Sequence, residues 1–335
     1  MRRLAPSLFG LALSAVLLGV LAAGIDLGQM RTVLARSDPA LLPLALLGLA
    51  LDLAARTVRW RVLLARPPRP GYGATFRYLA IGYLVNDVLP GRLGELVRAH
   101  LLGRREGVGT SRALGSIALE RGLDVVVAAA LGLLAVLALG IGGPLRGGFA
   151  LLAGGSLAAL LVLALAPHRW LRGVIDGLAG RVTPRPLAAV LPRVVAFLHA
   201  LLDAAAPRAV WPGLALSILA WLATAGVFLV AAYALALHLA LPAVLLLAMA
   251  ANLGTAIPSA PAGIGPFEFA VVWVGAAVGL DPSSALLLGV LSHLLTVVPV
   301  CLVGAVGLVG TGWDGRGIAK SRPIPVPTLP WLRPP

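Results

Sequence analysis

The chain has 335 residues, 59% hydrophobic and 12% charged, with a formal net charge of +14. A soluble domain carries about 25% charged residues, so this composition excludes an ordinary soluble enzyme and marks a polytopic membrane protein. The apolar runs are rich in Leu, Ala and Gly and show no strand alternation, which selects an all-α integral membrane fold over a transmembrane barrel.

Arg2 and Arg3 precede an apolar stretch from Leu8 to Ala23. It reads either as a first membrane helix or as a secretory leader ending near Ala22-Ala23-Gly24. The helix is favoured, because the rest of the chain is itself membrane-bound. About six full spans are expected, near residues 7–25, 39–56, 112–140, 148–166, 211–238 and 283–311. Two further apolar regions, about 74–102 and 243–280, are each broken by Pro and Gly. They are read as re-entrant hairpins, with paired short spans as the alternative, since arms of about 15 residues make only ~22 Å of helix.

Residues 167–210 divide the chain and carry arginines among apolar residues at helical spacing, including Leu191, Val194, Val195, Leu198, Leu201 and Leu202. This predicts an amphipathic helix on the cytoplasmic leaflet, or a basic loop that sets topology. The tail from 312 is Pro-rich and is expected to be disordered. The chain is thus one membrane domain: a first repeat at about 1–166, the linker 167–210, a second repeat at about 211–311 and the tail 312–335.

Basic charge on a soluble chain would suggest nucleic acid. Here the arginines crowd the ends of apolar segments, which points to topology and anionic lipid, and nucleic acid is not an expected partner. With the N-terminus in the cytoplasm, the external connections hold Arg31, Arg36 and Arg146, while the other 24 basic residues are cytoplasmic or in the first hairpin and its flanks. That layout puts both termini in the cytoplasm and turns the two halves into inverted repeats, an architecture of secondary transporters.

The breaks share an order of residues. The first runs Asn86, Pro90, Gly91, Gly94, Glu95, and the second Asn252, Pro258, Gly263, Gly265, Glu268. Unwound backbone at membrane depth is tolerated where it lines a cavity or is buried in protein. If Gly91 ends the first unwound stretch, Arg92 to Leu102 forms a half-helix. In the second, Gly265 suits an N-cap, Pro266 the first helical position and Glu268 the first turn. Two such N-termini near the midplane would attract a lipid phosphate, with Arg92 as a bidentate partner.

Intramembrane carboxylates are costly and mark function. Glu95 and Glu268 are read as helix caps, as partners of a cationic head group or as carriers of a coupling proton. Glu120 and Asp124 share a helix face and repel unless a cation intervenes. Arg121 is expected to pair with Asp124, and Arg92 or Arg98 with Glu120. Asp52 and Arg56 are expected to form a helix-end pair, with Arg59 and Arg61 at lipid head groups. Trp60, Trp170, Trp211 and Trp313 are read as interfacial anchors, and His293 as a helix–helix hydrogen-bonding residue rather than a proton relay.

Taken in order, the run Arg56-Thr57-Val58-Arg59-Trp60-Arg61-Val62-Leu63-Leu64, the Asn86–Glu95 break, Arg98, Glu120-Arg121-Gly122-Leu123-Asp124, and Ile257-Pro258 through Gly263-Ile264-Gly265 to Glu268 resemble the lysylphosphatidylglycerol synthase transmembrane family, also called flippase-like domain proteins. The resemblance covers nearly the whole chain. It implies an integral membrane translocase for a lipid or lipid-linked molecule. The best-known members add a soluble aminoacyl-transferase domain. This sequence contains none, so lysyl transfer is not implied.

No zinc-protease, Walker A or serine-elbow motif occurs. No enzyme activity, cofactor or metal is expected, and the single Cys301 excludes an intrachain disulfide or thiolate metal framework. The leading expectation is a translocase of the cell (inner) membrane handling a phospholipid or polyprenyl-linked lipid. Its site is Arg92, Glu95, Arg98, Glu120, Asp124 and Glu268, on backbone at Asn86, Pro90, Gly91, Gly94, Pro258, Gly263 and Gly265. The alternatives are an intramembrane lipid-modifying enzyme and a non-catalytic scaffold of a lipid or lipid-glycan pathway.

Overall fold

A computed structural model describes residues 5–64, 69–89, 93–181, 191–257 and 259–310. Pro90, Gly91, Arg92 and Pro258 from the breaks, Trp313 and the tail lie outside the described residues. Regular structure among those described is entirely helical. The helices are α1 (Ala5–Ala23), α2 (Leu27–Ala35), α3 (Leu42–Leu63), α4 (Tyr72–Val88), α5 (Gly94–Arg105), α6 (Thr110–Ala138), α7 (Gly143–Leu165), α8 (His168–Arg181), α9 (Leu191–Ala204), α10 (Pro207–Ala234), α11 (Leu241–Gly254), α12 (Pro266–Ala277) and α13 (Pro282–Val309).

Among the described residues, five units are long and apolar enough to cross a membrane: Pro39–Leu63, which joins a 3₁₀ turn to α3, then α6, α7, α10 and α13. A sixth arises only if α1 and α2, bent by 83° at the Gly24–Asp26 break, count as one. The chain is therefore a multi-pass membrane protein, and its expected first span near 7–25 corresponds to α1, which is followed across the bend by α2. The helix starts follow local chemistry. Asp26 Oδ1 accepts from Gly28 N at 2.7 Å to open α2, and Asp281 Oδ1 accepts from Ser284 N at 2.9 Å to open α13. Proline stands in the first two positions of α3, α7, α10, α11, α12 and α13, where its missing N–H costs no hydrogen bond.

The expected breaks are present as helix pairs, α4 with α5 and α11 with α12, each pair packed on itself. At 12 residues, α5 and α12 are each ~18 Å long, about half the apolar thickness of a bilayer. α3 lies along α10. α4 docks on α13 and α11 docks on α6, so the first arm of each broken segment rests on the long helix that follows the other. Around α11 the core holds Trp221, Phe228, Leu246, Leu247, Met249 and Phe267.

Among its described residues the basic divider holds two helices, α8 and α9, and α9 covers the expected amphipathic stretch from Leu191 to Leu202. α9 turns Val195 and Leu202 inward, leaves Val194 exposed and packs against α6 and α8, so protein covers part of the face that the sequence would give to lipid. His199 Nε2 lies 3.3 Å from Asp176 Oδ1, and Arg172 pairs with Asp203, which joins α8 to α9.

Gly94 explains how α5 can fold back on α4. A Cβ there would lie 1.8 Å from the Gly82 carbonyl oxygen and 2.7 Å from Asn86 Oδ1. Gly94→Ala is thus expected to force the two arms apart at a cost of about 1–3 kcal/mol. Thermal unfolding in detergent should show a clear drop for Gly94→Ala and none for Gly226→Ala, where a Cβ meets nothing within 4 Å.

Candidate functional site

α3, α5 and α6 carry charge on faces that the bundle turns inward. Asp52, Arg56 and Arg59 stand at i, i+4 and i+7 on α3, which is one face of a helix. Glu95 and Arg98 come from α5, and Glu120, Arg121 and Asp124 from α6. They meet as four carboxylates and four guanidiniums.

The bonds are short and interlocked. Arg56 Nε donates to Asp52 Oδ1 and Oδ2 at 2.7 and 2.9 Å. Arg59 Nη1 donates to Asp124 Oδ1 at 2.5 Å and to Ser217 Oγ of α10 at 2.8 Å, while its Nη2 lies 3.2 Å from Glu120 Oε1. Arg98 grips Glu120 through two bonds, at 3.0 and 3.3 Å. Arg121 reaches Glu95 at 3.0 Å, Glu120 at 3.2 Å and Asp124 at 3.3 Å. Trp221 Nε1 of α10 donates to Asp124 Oδ1 at 3.2 Å and Thr224 Oγ1 to Asp52 Oδ1 at 3.2 Å. Arg56 lies over the Trp221 ring at 5.2 Å and Arg98 over the Trp60 ring at 4.7 Å.

Burial is steeply graded. Arg59 and Glu120 have fully buried side chains, whereas Arg121 is 35% exposed and Glu95 25%. Three buried donors in or beside the network, Arg59 Nε, Arg121 Nε and Tyr83 Oη, have no hydrogen-bond partner among the described residues, although Arg121 Nε lies in ion-pair range of Glu95. Tyr83 packs with its ring 6.0 Å from the Arg98 guanidinium.

Four of the expected residues, Glu95, Arg98, Glu120 and Asp124, are thus brought together, with the Arg98–Glu120 and Arg121–Asp124 pairs formed. The Asp52–Arg56 pair is also formed, but inside α3 rather than at its end, because the helix runs on to Leu63, and it joins the network through Arg56 Nη1, 3.7 Å from Asp124 Oδ2. Two expectations are corrected. Arg59 is not at lipid head groups: it is the cation between Glu120 and Asp124, which their repulsion demands. Trp60 is no interfacial anchor: it is fully buried, donates to Ser116 Oγ at 3.0 Å and carries Arg98 on its face. Its neighbour Arg61 does stand at the helix end, donating to Pro70 O at 3.0 Å. Trp170 and Trp211 are exposed. Arg59 was recoverable from the sequence, since its spacing from Asp52 and Arg56 repeats one helical face.

The breaks frame this network. Asn86 Oδ1 accepts from Gly94 N at 2.8 Å, which ties the end of α4 to the start of α5. In the second break Gly265, at φ +101°, is the N-cap of α12, a conformation open to glycine. Glu268 Oε2 accepts from Gly265 N at 2.8 Å, so this carboxylate closes its own helix end. Gly263, also at positive φ, sits in the turn before it, and Ser14 Oγ of α1 bridges Ile264 O and Ala260 N at 2.7 and 2.9 Å. Glu268 does not join the arginine network but bonds His293 of α13 at 2.6 Å, the interhelical hydrogen bond expected of that histidine.

The model of the family described as the lysylphosphatidylglycerol synthase TM region matches residues 7–304. The glycosyltransferase AglD of Haloferax volcanii is 28% identical over 337 residues, an alignment that covers 89% of this chain and 53% of that protein. The chain therefore spans about half the length of this relative.

Removing one member of a buried charge pair costs about 3–5 kcal/mol, because the other is left unpaired. Glu120→Gln, which leaves Arg59 and Arg98 short of countercharge, is expected to be destabilised by that order. Arg98→Met combined with Glu120→Gln should lose less than the two single changes summed, in a thermal-shift cycle in detergent. Additive losses would mean that the two side chains do not act as a pair.

Proposed function

The chain belongs to the lysylphosphatidylglycerol synthase transmembrane family, and from that premise we propose that it moves a lipid or lipid-linked head group across the cell (inner) membrane. The observation that carries this reading is the charge-balanced network itself. Burying most of four carboxylates and four guanidiniums is an expensive way to join helices, and ionisable groups at membrane depth mark pathways for polar cargo.

The graded exposure gives the cargo an approach. A lipid phosphate competes with Glu95 for Arg121, the most exposed guanidinium of the network, near the positive end of α5. Arg59 Nε and Tyr83 Oη offer spare donors deeper in. Arg92, which precedes α5 in the sequence, is the further guanidinium expected to take part. A head group bearing an amine would instead pair with the released Glu95. At the second break Glu268 already accepts from Gly265 N, so a phosphate binds there only after that carboxylate swings away. The shared phosphate site is therefore weighted toward the start of α5.

The two halves are read as inverted repeats, with α4–α5 and α11–α12 as re-entrant hairpins and both termini in the cytoplasm. Three features support this: the matched half-length arms, the reciprocal docking of α4 on α13 and of α11 on α6, and the skewed distribution of arginine. Rocking of one half against the other would expose the network to each leaflet in turn.

The name of the Haloferax volcanii relative, a glycosyltransferase, favours a second reading, in which a glycosylated lipid is handled or modified. Purified protein that forms product in detergent, with no second compartment, would select the enzyme. The translocase is tested with vesicles holding head-group-labelled phosphatidylglycerol or a polyprenyl phosphate, read by the loss of protection from an impermeant quencher. Wild type should move one probe faster than empty vesicles. Arg121→Ala should slow it about tenfold or more, the worth of one charge-assisted contact, while Arg36→Ala should not. Wild type no faster than empty vesicles with either probe would contradict the proposal.

A further inference from the structure

The second break holds a group of residues that the arginine network does not use. Glu268 and His293 are buried, on α12 and α13. Both ring nitrogens of His293 face oxygens: Nε2 lies 3.1 Å from Ala262 O and Nδ1 lies 2.6 Å from Glu268 Oε1. A carbonyl only accepts, so Nε2 carries a hydrogen. Two bare acceptors at 2.6 Å would repel, so a second hydrogen lies between Nδ1 and the carboxylate.

We propose that Glu268 and His293 form a buried proton-binding site, holding one proton beyond those of a neutral imidazole and a free carboxylate. The proton lies on Nδ1, giving imidazolium and carboxylate, or on Oε1, giving two neutral groups, and the pair has zero net charge either way. The surroundings favour the ionic form. The Phe267 ring stacks on the imidazole at 4.1 Å, and the carboxylate sits at the positive end of α12 with Gly265 N donating to it. Losing the proton would leave a net negative charge in an apolar wall, and would remove the donor that holds Nδ1 to Glu268.

Of the elements packed against α12 and α13, α1 and α11 carry no ionisable side chain among the described residues. The charges of α3 are held in the network or, for Arg61, by Pro70. α2 brings Arg31, α10 brings Arg208 and α4 brings Arg77 and Asp87. Asp87, from the end of α4, lies within electrostatic reach of His293, and Cys301 of α13 donates to it at 3.8 Å. A carboxylate of the second broken segment thus bonds the imidazole, and one of the first lies within its field. If the chain is the translocase proposed above, uptake and release of this proton, with Asp87 as the alternative acceptor, is the step that couples lipid movement to a proton gradient.

The test uses the full chain in lipid nanodiscs with ¹⁵N-labelled histidine, the signal of His293 being assigned by its loss in His293→Gln. At pH 7.5 wild-type His293 should show two protonated ring nitrogens, or one together with an infrared band of protonated carboxyl that Glu268→Gln removes. Glu268→Gln should return His293 to one protonated nitrogen, since the amide can donate to a bare Nδ1. A bare Nδ1 in wild type with no protonated carboxyl overturns the proposal, whether or not the variants fold. Vesicles carrying a proton gradient separate the further step: wild-type lipid movement should rise several-fold with the gradient and that of Glu268→Gln should not. Movement indifferent to the gradient removes the coupling alone. No movement at all removes the translocase reading, and the nitrogen spectrum still decides the proton site.

Discussion

A charge inside a membrane bundle must find its opposite, and this constraint organises the molecule. Asp52, Glu95, Glu120 and Asp124 are answered by Arg56, Arg59, Arg98 and Arg121, and no pair is private: Arg59 serves two acids and Arg121 three. Such sharing ties α3, α5 and α6 together at fixed distances, while α10 completes the shell with Ser217, Trp221 and Thr224. Trp60 and Trp221 are inside the bundle for the same reason. Their ring faces carry Arg98 and Arg56, and the Trp221 indole N–H donates to Asp124.

The broken segments follow from that arrangement. α5 brings Glu95 and Arg98 to the network only because it folds back on α4, and it can do so because Gly94 lets backbone meet backbone. The second break uses the same kind of chemistry for a different end. Gly265 turns the chain, Glu268 closes the helix start, and the carboxylate's other oxygen is committed to His293. One break thus feeds a multivalent ion network and the other a single carboxylate–imidazole pair. On the proposed reading, the first supplies the place for an anionic head group and the second the place for a proton.

Much of this was legible from spacing. The long spans, the Pro/Gly breaks, the pairing of Arg98 with Glu120 and the N-cap at Gly265 all follow from local rules. What escaped was the depth of α3. Arg59, Trp60 and Arg61 are consecutive and read as an interfacial cluster, yet successive residues on a helix point about 100° apart. Arg59 and Trp60 therefore face the bundle while Arg61 faces the loop. The bend between α1 and α2, and the docking of α9 on α6 in place of lipid, depend on tertiary partners that no local pattern announces. The place of Glu268 beside His293, rather than beside the arginines, likewise rests on how α12 packs against α13.

The central claim is that the arginine network, entered at Arg121, holds an anionic lipid. Native mass spectrometry of the gently extracted protein tests it most directly, with lipids released and identified from wild type and from Arg121→Ala. The account predicts one anionic or polyprenyl-linked species retained by wild type and lost from the variant. An unselective set of lipids, the same in both, would contradict it and leave the network as a structural clamp.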